Sequence, residues 1–105
     1  MDWYKLNIEE PIRHVVKALR DNGINTVCSC GHGMWVQCES YDQSNELNTI
    51  YHVLIKLGYD NYRAQVFDEI RDGQRYTNIQ ITFPDENGEY AFIQTDNKNY
   101  TQYGK

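Results

Sequence analysis

The chain has 105 residues, of which 40% are hydrophobic and 24% are charged, and this composition predicts one compact globular domain and excludes two. No apolar run approaches the roughly 18 to 20 residues of a membrane span, and the first residues lack the order of a signal peptide. A formal net charge of -5 disfavours broad binding to nucleic-acid phosphates or anionic lipid. We therefore expect a cytoplasmic protein with no membrane partner, and nucleic-acid binding is disfavoured.

Two amphipathic helices are predicted from apolar residues at helical spacing. The first begins at Glu10-Pro11 and ends before Gly23, and the second begins near Ser44 as N-cap and ends at Gly58. Both helices place their histidines, His14 and His52, toward solvent. The predicted buried stripes are Ile12, Val15, Val16 and Leu19 in the first helix, and Leu47, Ile50, Tyr51, Leu54 and Leu57 in the second.

A β-hairpin is predicted between the two helices. Its strands are Asn25–Cys30 and Met34–Ser40, and the loop Gly31-His32-Gly33 offers glycines for positive φ. The simplest register pairs Cys28 with Val36 and places all three cysteines on one apolar face. A bulge would instead slip the pairing by one residue and change the facing pairs near the loop.

The second hairpin carries the strongest turn signal in the chain. Strands at 62–71 and 74–83 flank Asp72-Gly73, and a two-residue turn pairs Ala64 with Ile81 and Val66 with Ile79 on one apolar core face. The reverse face is polar and is expected to be open to water or to a partner.

A last strand at Glu89–Thr95 completes a single α+β domain over residues 1–95, and residues 96–105 form a polar tail that is expected to fray. The predicted architecture is a two-layer sandwich with both helices on one face of an antiparallel sheet. Moving the penultimate strand to the front of the element order produces the ferredoxin-like order βαββαβ, which predicts a permuted ferredoxin-like fold.

The densest group of chemically active residues is the arrangement C-x-C-x-H-x5-C, formed by Cys28, Cys30, His32 and Cys38. Zinc accepts this ligand set, although alternate strand residues lie roughly 6 to 7 Å apart, too far for adjacent tetrahedral ligands without a bulge. Two alternatives stay open. All three cysteines are small core residues beneath the helices, or Cys30 is a reactive thiol beside His32.

A second candidate surface is the reverse face of the sheet, where Phe67 and Tyr76 lie among the arginines Arg63 and Arg71. Aromatic and basic side chains of this kind can stack on nucleic-acid bases, but the acidic net charge favours a homodimer interface or plain solvent exposure.

The segments Leu19–Thr26, Ser29–His32 and Val36–Cys38 resemble a group of small uncharacterised prokaryotic and phage proteins. The most specific part runs from Gly-Ile-Asn-Thr at 23–26 to Cys-Gly-His at 30–32. This resemblance implies no established activity.

The sequence as a whole favours a small binding or interaction domain that self-associates through its open sheet face. It supplies no catalytic constellation, so an enzyme is disfavoured and no cofactor is expected. The alternative function is a zinc or reactive-thiol site on the cysteine and histidine hairpin.

Overall fold

The computed structural model describes residues 2–90 and 100–102. Over these ranges the chain forms three helices and a five-stranded sheet of order β1-β2-β4-β3-β5, in which every neighbouring pair is antiparallel. The helices are α1 (Trp3–Asn7), α2 (Glu10–Asp21) and α3 (Gln43–Lys56), and the strands are β1 (Thr26–Cys30), β2 (Trp35–Glu39), β3 (Arg63–Arg71), β4 (Gln74–Thr82) and β5 (Tyr100–Gln102). The predicted α+β class is confirmed.

One hydrophobic core lies between α2, α3 and the sheet face that they cover. α2 supplies its whole predicted stripe, and β2 and β4 supply the opposing layer. Burial of this apolar surface is the main favourable contribution to folding. The fully or almost fully buried members are Ile12, Val15, Val16, Leu19, Ile24, Val36, Cys38, Ile50, Val53, Leu54, Ile79, Ile81 and Phe83.

Helix α2 agrees with the prediction in its bounds, in its early proline and in its buried side chains. His14 is exposed as predicted, and its Nε2 lies 2.6 Å from the hydroxyl oxygen of Tyr59, whose ring stacks on the imidazole. The histidine therefore links the outer side of α2 to the segment that follows α3.

Helix α3 begins at Gln43, so the prediction of Ser44 as its N-cap is wrong. The Glu46 carboxylate reaches back instead and accepts the backbone N–H groups of Tyr41 and Asp42 at 3.1 and 3.2 Å. These bonds satisfy two amide donors just ahead of the helix.

The buried stripe of α3 is also rotated from its predicted position. Val53 is buried, whereas Tyr51 is 49% exposed and Leu57 is 40% exposed. Val53 and Tyr51 flank the stripe on opposite sides, and the tilt of α3 on the sheet decides which flank is covered.

The N-terminal helix α1 was not predicted, because five residues are too few to show a helical period. The Asp2 carboxylate accepts the Tyr4 backbone N–H at 2.9 Å, which caps the helix at its start. At its end, the Arg13 guanidinium donates to the Ile8 carbonyl at 3.0 and 3.1 Å, which ties α1 to α2.

The β3–β4 hairpin confirms the predicted turn and register. Asp72 and Gly73 have φ values of +52° and +78°, as a two-residue hairpin turn requires. Ala64 pairs with Ile81 and Val66 with Ile79.

The β1–β2 hairpin departs from the simplest predicted register. Thr26 pairs with Cys38, but Cys28 pairs with Gln37, so Val27 is an extra residue in β1. The slip changes the face of every later residue in the strand. Cys28 is consequently exposed and Cys30 half-buried, and the prediction of three cysteines on one core face is wrong.

The reverse face of the sheet is not open at its centre, which corrects the prediction. Phe67, projecting away from the helices, is 0% exposed, and its polar neighbours on β4 are buried as well. Strand alternation indicates which side a residue faces, but not whether another segment covers that side. The buried polar neighbours are Asn78, Gln80 and Thr82.

The C-terminal residues are described only in part. Tyr90 forms an isolated bridge with Pro84, while the rest of the predicted strand Glu89–Thr95 beyond Tyr90 lies outside the described residues. Strand β5 pairs with Phe67–Glu69 of β3, so three residues of the tail that was expected to fray join the sheet. In the described ranges, no helix is long and apolar enough to cross a bilayer.

The cysteine positions predict two different thiol reactivities. Cys28 should react with a thiol reagent in the native protein, whereas Cys38 should react only on unfolding. Cys38 is 1% exposed, and burial, assisted by the nearby Glu46 carboxylate, raises the pKa of its thiol to about 12, so thiolate is scarce. Mass spectrometry of native and urea-unfolded samples distinguishes the two, and rapid native labelling of Cys38 would contradict the packing.

The buried reverse face predicts a large effect at Phe67. Phe67→Ala should lower the free energy of unfolding by about 3 to 5 kcal/mol, the usual cost of emptying a buried phenylalanine site. The matched control is Tyr76→Ala on the same face, where the side chain is only half-buried and the loss should be smaller. Urea denaturation measures both, and equal small losses would show that Phe67 is not tightly packed.

Candidate metal site

Three potential metal ligands converge beside the loop between β1 and β2. The donor atoms of Glu9, Cys30 and His32 all lie within 4.8 Å of one another. The His32 Nδ1 and the Glu9 Oε2 are 3.0 Å apart, so the imidazole donates to the carboxylate in this arrangement. Ligand atoms around tetrahedral zinc are about 3.3 to 3.8 Å apart, from bond lengths of about 2.0 to 2.3 Å. The cluster thus needs movements of roughly 1 Å, within side-chain freedom, to surround one ion.

Gly31 sets the position of this loop against the start of α2. A Cβ atom at Gly31 would lie 3.0 Å from the Cβ of Glu9 and 3.1 Å from the Cδ of Pro11. Only a glycine permits this approach without displacing its neighbours. The predicted use of the loop glycines for positive φ is wrong, because Met34 adopts the positive φ of +52°.

The sulfur of Cys30 is held in place by the loop. The backbone N–H of Gly33 donates to Cys30 Sγ at 3.3 Å. Cys30 is half-buried, while the Glu9 and His32 side chains are 46% and 92% exposed. The site therefore lies at the protein surface and is accessible to ions.

The four predicted metal ligands do not come together. Cys30 and His32 belong to the cluster, whereas Cys28 lines a groove beside α1 and Cys38 lies in the core. The irregularity at Val27 separates them, because it turns Cys28 away from the face that Cys38 occupies. Glu9 takes their place as the third donor.

Sequence reasoning missed Glu9 as a ligand because it is distant from the hairpin along the chain. Glu9 is the N-cap residue of α2, and an acidic residue at a helix N-terminus is already favoured by the helix dipole without any ligand role. The sequence contains one signal for the contact between Glu9 and the loop, which is Gly31 between the potential ligands Cys30 and His32. A glycine indicates that another segment can approach closely, but not which segment does so.

His32 also borders a second small cavity, which lies between the β1–β2 loop and the segment that follows β4. This cavity has a volume of about 200 Å³, and its wall includes Phe83 and the acidic residues Asp85 and Glu89. Asp85 is occupied in its own turn, where its carboxylate accepts the backbone N–H groups of Asn87 and Glu89. The surroundings of His32 are therefore acidic and favour cations over anions.

The predicted stacking surface is occupied by contacts within the chain. Arg63 lies over the ring of Tyr90 at 4.3 Å, and Arg71 lies over the ring of Tyr76 at 4.2 Å. Arg71 also approaches the Glu69 carboxylate at 3.5 Å, and Phe67 is buried. The four residues therefore do not present one continuous aromatic and basic platform.

Known proteins provide no relative from which a role for the candidate site follows. No family model, curated protein or solved structure matches this chain.

The tight packing at Gly31 predicts a cost for any side chain there. Gly31→Ala should lower the free energy of unfolding by about 1 to 3 kcal/mol, because the added methyl group overlaps Glu9 and Pro11. Ser29→Ala, two residues earlier in β1, is the control and should change stability by less. Urea denaturation of both variants tests the contact, and an unchanged Gly31→Ala variant would show that the loop does not rest on α2.

Proposed function

We propose that this protein binds a divalent transition metal ion of the zinc class through Glu9, Cys30 and His32. The observation that carries the proposal is the convergence of a carboxylate, a thiol and an imidazole within 4.8 Å. Sulfur and nitrogen donors favour zinc and its neighbours over magnesium or calcium, which prefer oxygen ligands. The metal alternative predicted from the hairpin is retained here with a different ligand set.

Three further features support binding at this position. Gly31 holds the loop against Glu9, so the ligands are partly preorganised before an ion arrives. The Gly33 amide donates to Cys30 Sγ and so orients the sulfur, and the acidic residues beside His32 attract cations. Three protein ligands leave a fourth tetrahedral position for water or another donor.

Cobalt(II) titration of the purified protein tests this proposal. A cobalt-bound thiolate has an intense near-ultraviolet charge-transfer absorption, which should appear at one equivalent and should disappear in Cys30→Ser. The control is Cys28→Ser, two residues away and outside the cluster, which should retain the absorption. Likewise His32→Gln should weaken binding and His52→Gln should not.

The result should also depend on pH and on zinc. Apparent affinity should rise with pH, because a metal ion binds thiol and imidazole ligands in their deprotonated forms and so releases protons. Zinc should displace cobalt and abolish the charge-transfer absorption. Absence of any thiolate band, or its equal loss in Cys28→Ser, would contradict the assigned ligand set.

For the fold, we propose a circular permutation of the ferredoxin-like arrangement. The order β1-β2-β4-β3 supports it, since α3 connects β2 to β3 with β4 between them. If β4 preceded α2 in the chain, α2 would connect β4 to β1 with β2 between them. A split βαβ unit is a pair of strands that are joined by a helix and have another strand between them in the sheet. Two such units define the ferredoxin-like arrangement.

For the compartment, we propose the cytoplasm. Support comes from three free thiols, of which Cys28 is exposed and would oxidise in a secreted protein.

A further inference from the structure

The free edge of the sheet at β1 has little of the usual protection against pairing with another strand. Among the described residues, β1 pairs with β2 alone and its other side is the end of the sheet. Natural proteins commonly place charged residues or proline on such an edge. β1 itself has neither, since its sequence is Thr-Val-Cys-Ser-Cys. Its protection consists of the irregularity at Val27 and of Arg20 on α2, whose guanidinium donates to the Thr26 carbonyl at 3.2 Å.

The absence of charge extends well beyond the strand. Residues 22–38 contain no Asp, Glu, Lys or Arg, although 24% of the whole chain is charged. Copies of a protein with net charge -5 repel one another, so their contact surface must be depleted of carboxylates. β1 and the residues on both sides of it in the chain meet that requirement, and the Glu9 carboxylate lies beside the strand only at its Cys30 end.

Exposed apolar side chains lie beside the same edge. Val27 is 49% exposed and Trp3 is 48% exposed, and the two line a groove of about 290 Å³ between α1 and β1. Leu6 of the same short helix is 65% exposed. Among the described residues, the lining of the groove contains no charged one, although Arg20 lies over the ring of Trp3.

We propose that β1 is the self-association surface of this protein and that its partner is β1 of a second copy. Antiparallel pairing of two identical strands obeys a two-fold axis, which is the commonest symmetry of soluble homodimers. Because the Thr26 carbonyl already accepts from Arg20, the pairing uses the edge backbone groups of residues 27–30, a segment that carries no charged side chain. It brings each copy's Trp3 and Val27 to the contact.

This inference is independent of the metal site and replaces the reverse face as the surface for self-association. At the reverse face, Phe67 is buried and the arginines stack on tyrosines of their own chain. At the β1 edge, backbone groups and apolar side chains are both available to a partner.

Sedimentation of the full chain, treated with a chelator, provides the first test. The native protein should be a dimer, and Val27→Lys should convert it to a monomer by placing two ammonium groups at the contact. The matched control is Tyr51→Lys on α3, because Tyr51 has the same exposed fraction of 49%. This control should remain dimeric, and thermal unfolding should show both variants to be folded.

Amide hydrogen exchange provides the second test. The amides of residues 27–30 should exchange more slowly at concentrations where the dimer forms than on dilution, while the amides of α3 should not change. A monomeric native protein would overturn the proposal. So would a dimer that Tyr51→Lys disrupts, which would place the contact on α3, and a dimer that only exists with bound metal.

Discussion

The extra residue at Val27 is the constraint on which the chemistry of this molecule depends. Strand residues alternate between two faces, so one inserted residue exchanges the faces of all that follow it. Before the irregularity, Thr26 pairs with Cys38, whose side chain lies in the core. After it, Cys28 is exposed and Cys30 turns toward the loop and the start of α2.

The core and the candidate site meet at the start of α2. Ile12, Val15 and Val16 pack the helix against the sheet, and this packing fixes the position of Glu9 at the helix N-terminus. Gly31 then allows the β1–β2 loop to approach that point, which brings Cys30 and His32 to the carboxylate. Apolar burial thus supplies the rigidity with which three polar side chains are held together.

Both faces of the sheet are buried, but by different kinds of side chain. The face under the helices is apolar, whereas the reverse face buries Phe67 among amide and hydroxyl side chains. Those polar groups find partners within the layer: Gln37 donates to Asn78, and Gln80 donates to Thr82. Buried polar groups that are satisfied in this way avoid the desolvation cost of unpaired ones. Burial on both sides makes the sheet the structural centre of the molecule.

The sequence by itself determined the elements whose signals are local. The stripe of α2, the Asp72-Gly73 turn and the register of β3 with β4 follow from residue spacing and from turn geometry, and the structure agrees with all three. Two of the three candidate ligands, Cys30 and His32, were also recognisable as metal-binding residue types at close spacing.

Tertiary structure alone decided the properties that depend on distant segments. The contact of Glu9 with the loop, the burial of Phe67 and the free edge at β1 each involve residues far apart in the chain. Periodicity reports which side of an element a residue faces, but what lies against that side is set by packing. The same limit explains why the predicted faces of the cysteines are wrong. A one-residue slip at Val27 reverses the faces of Cys28 and Cys30, but it leaves the composition and spacing of the hairpin unchanged.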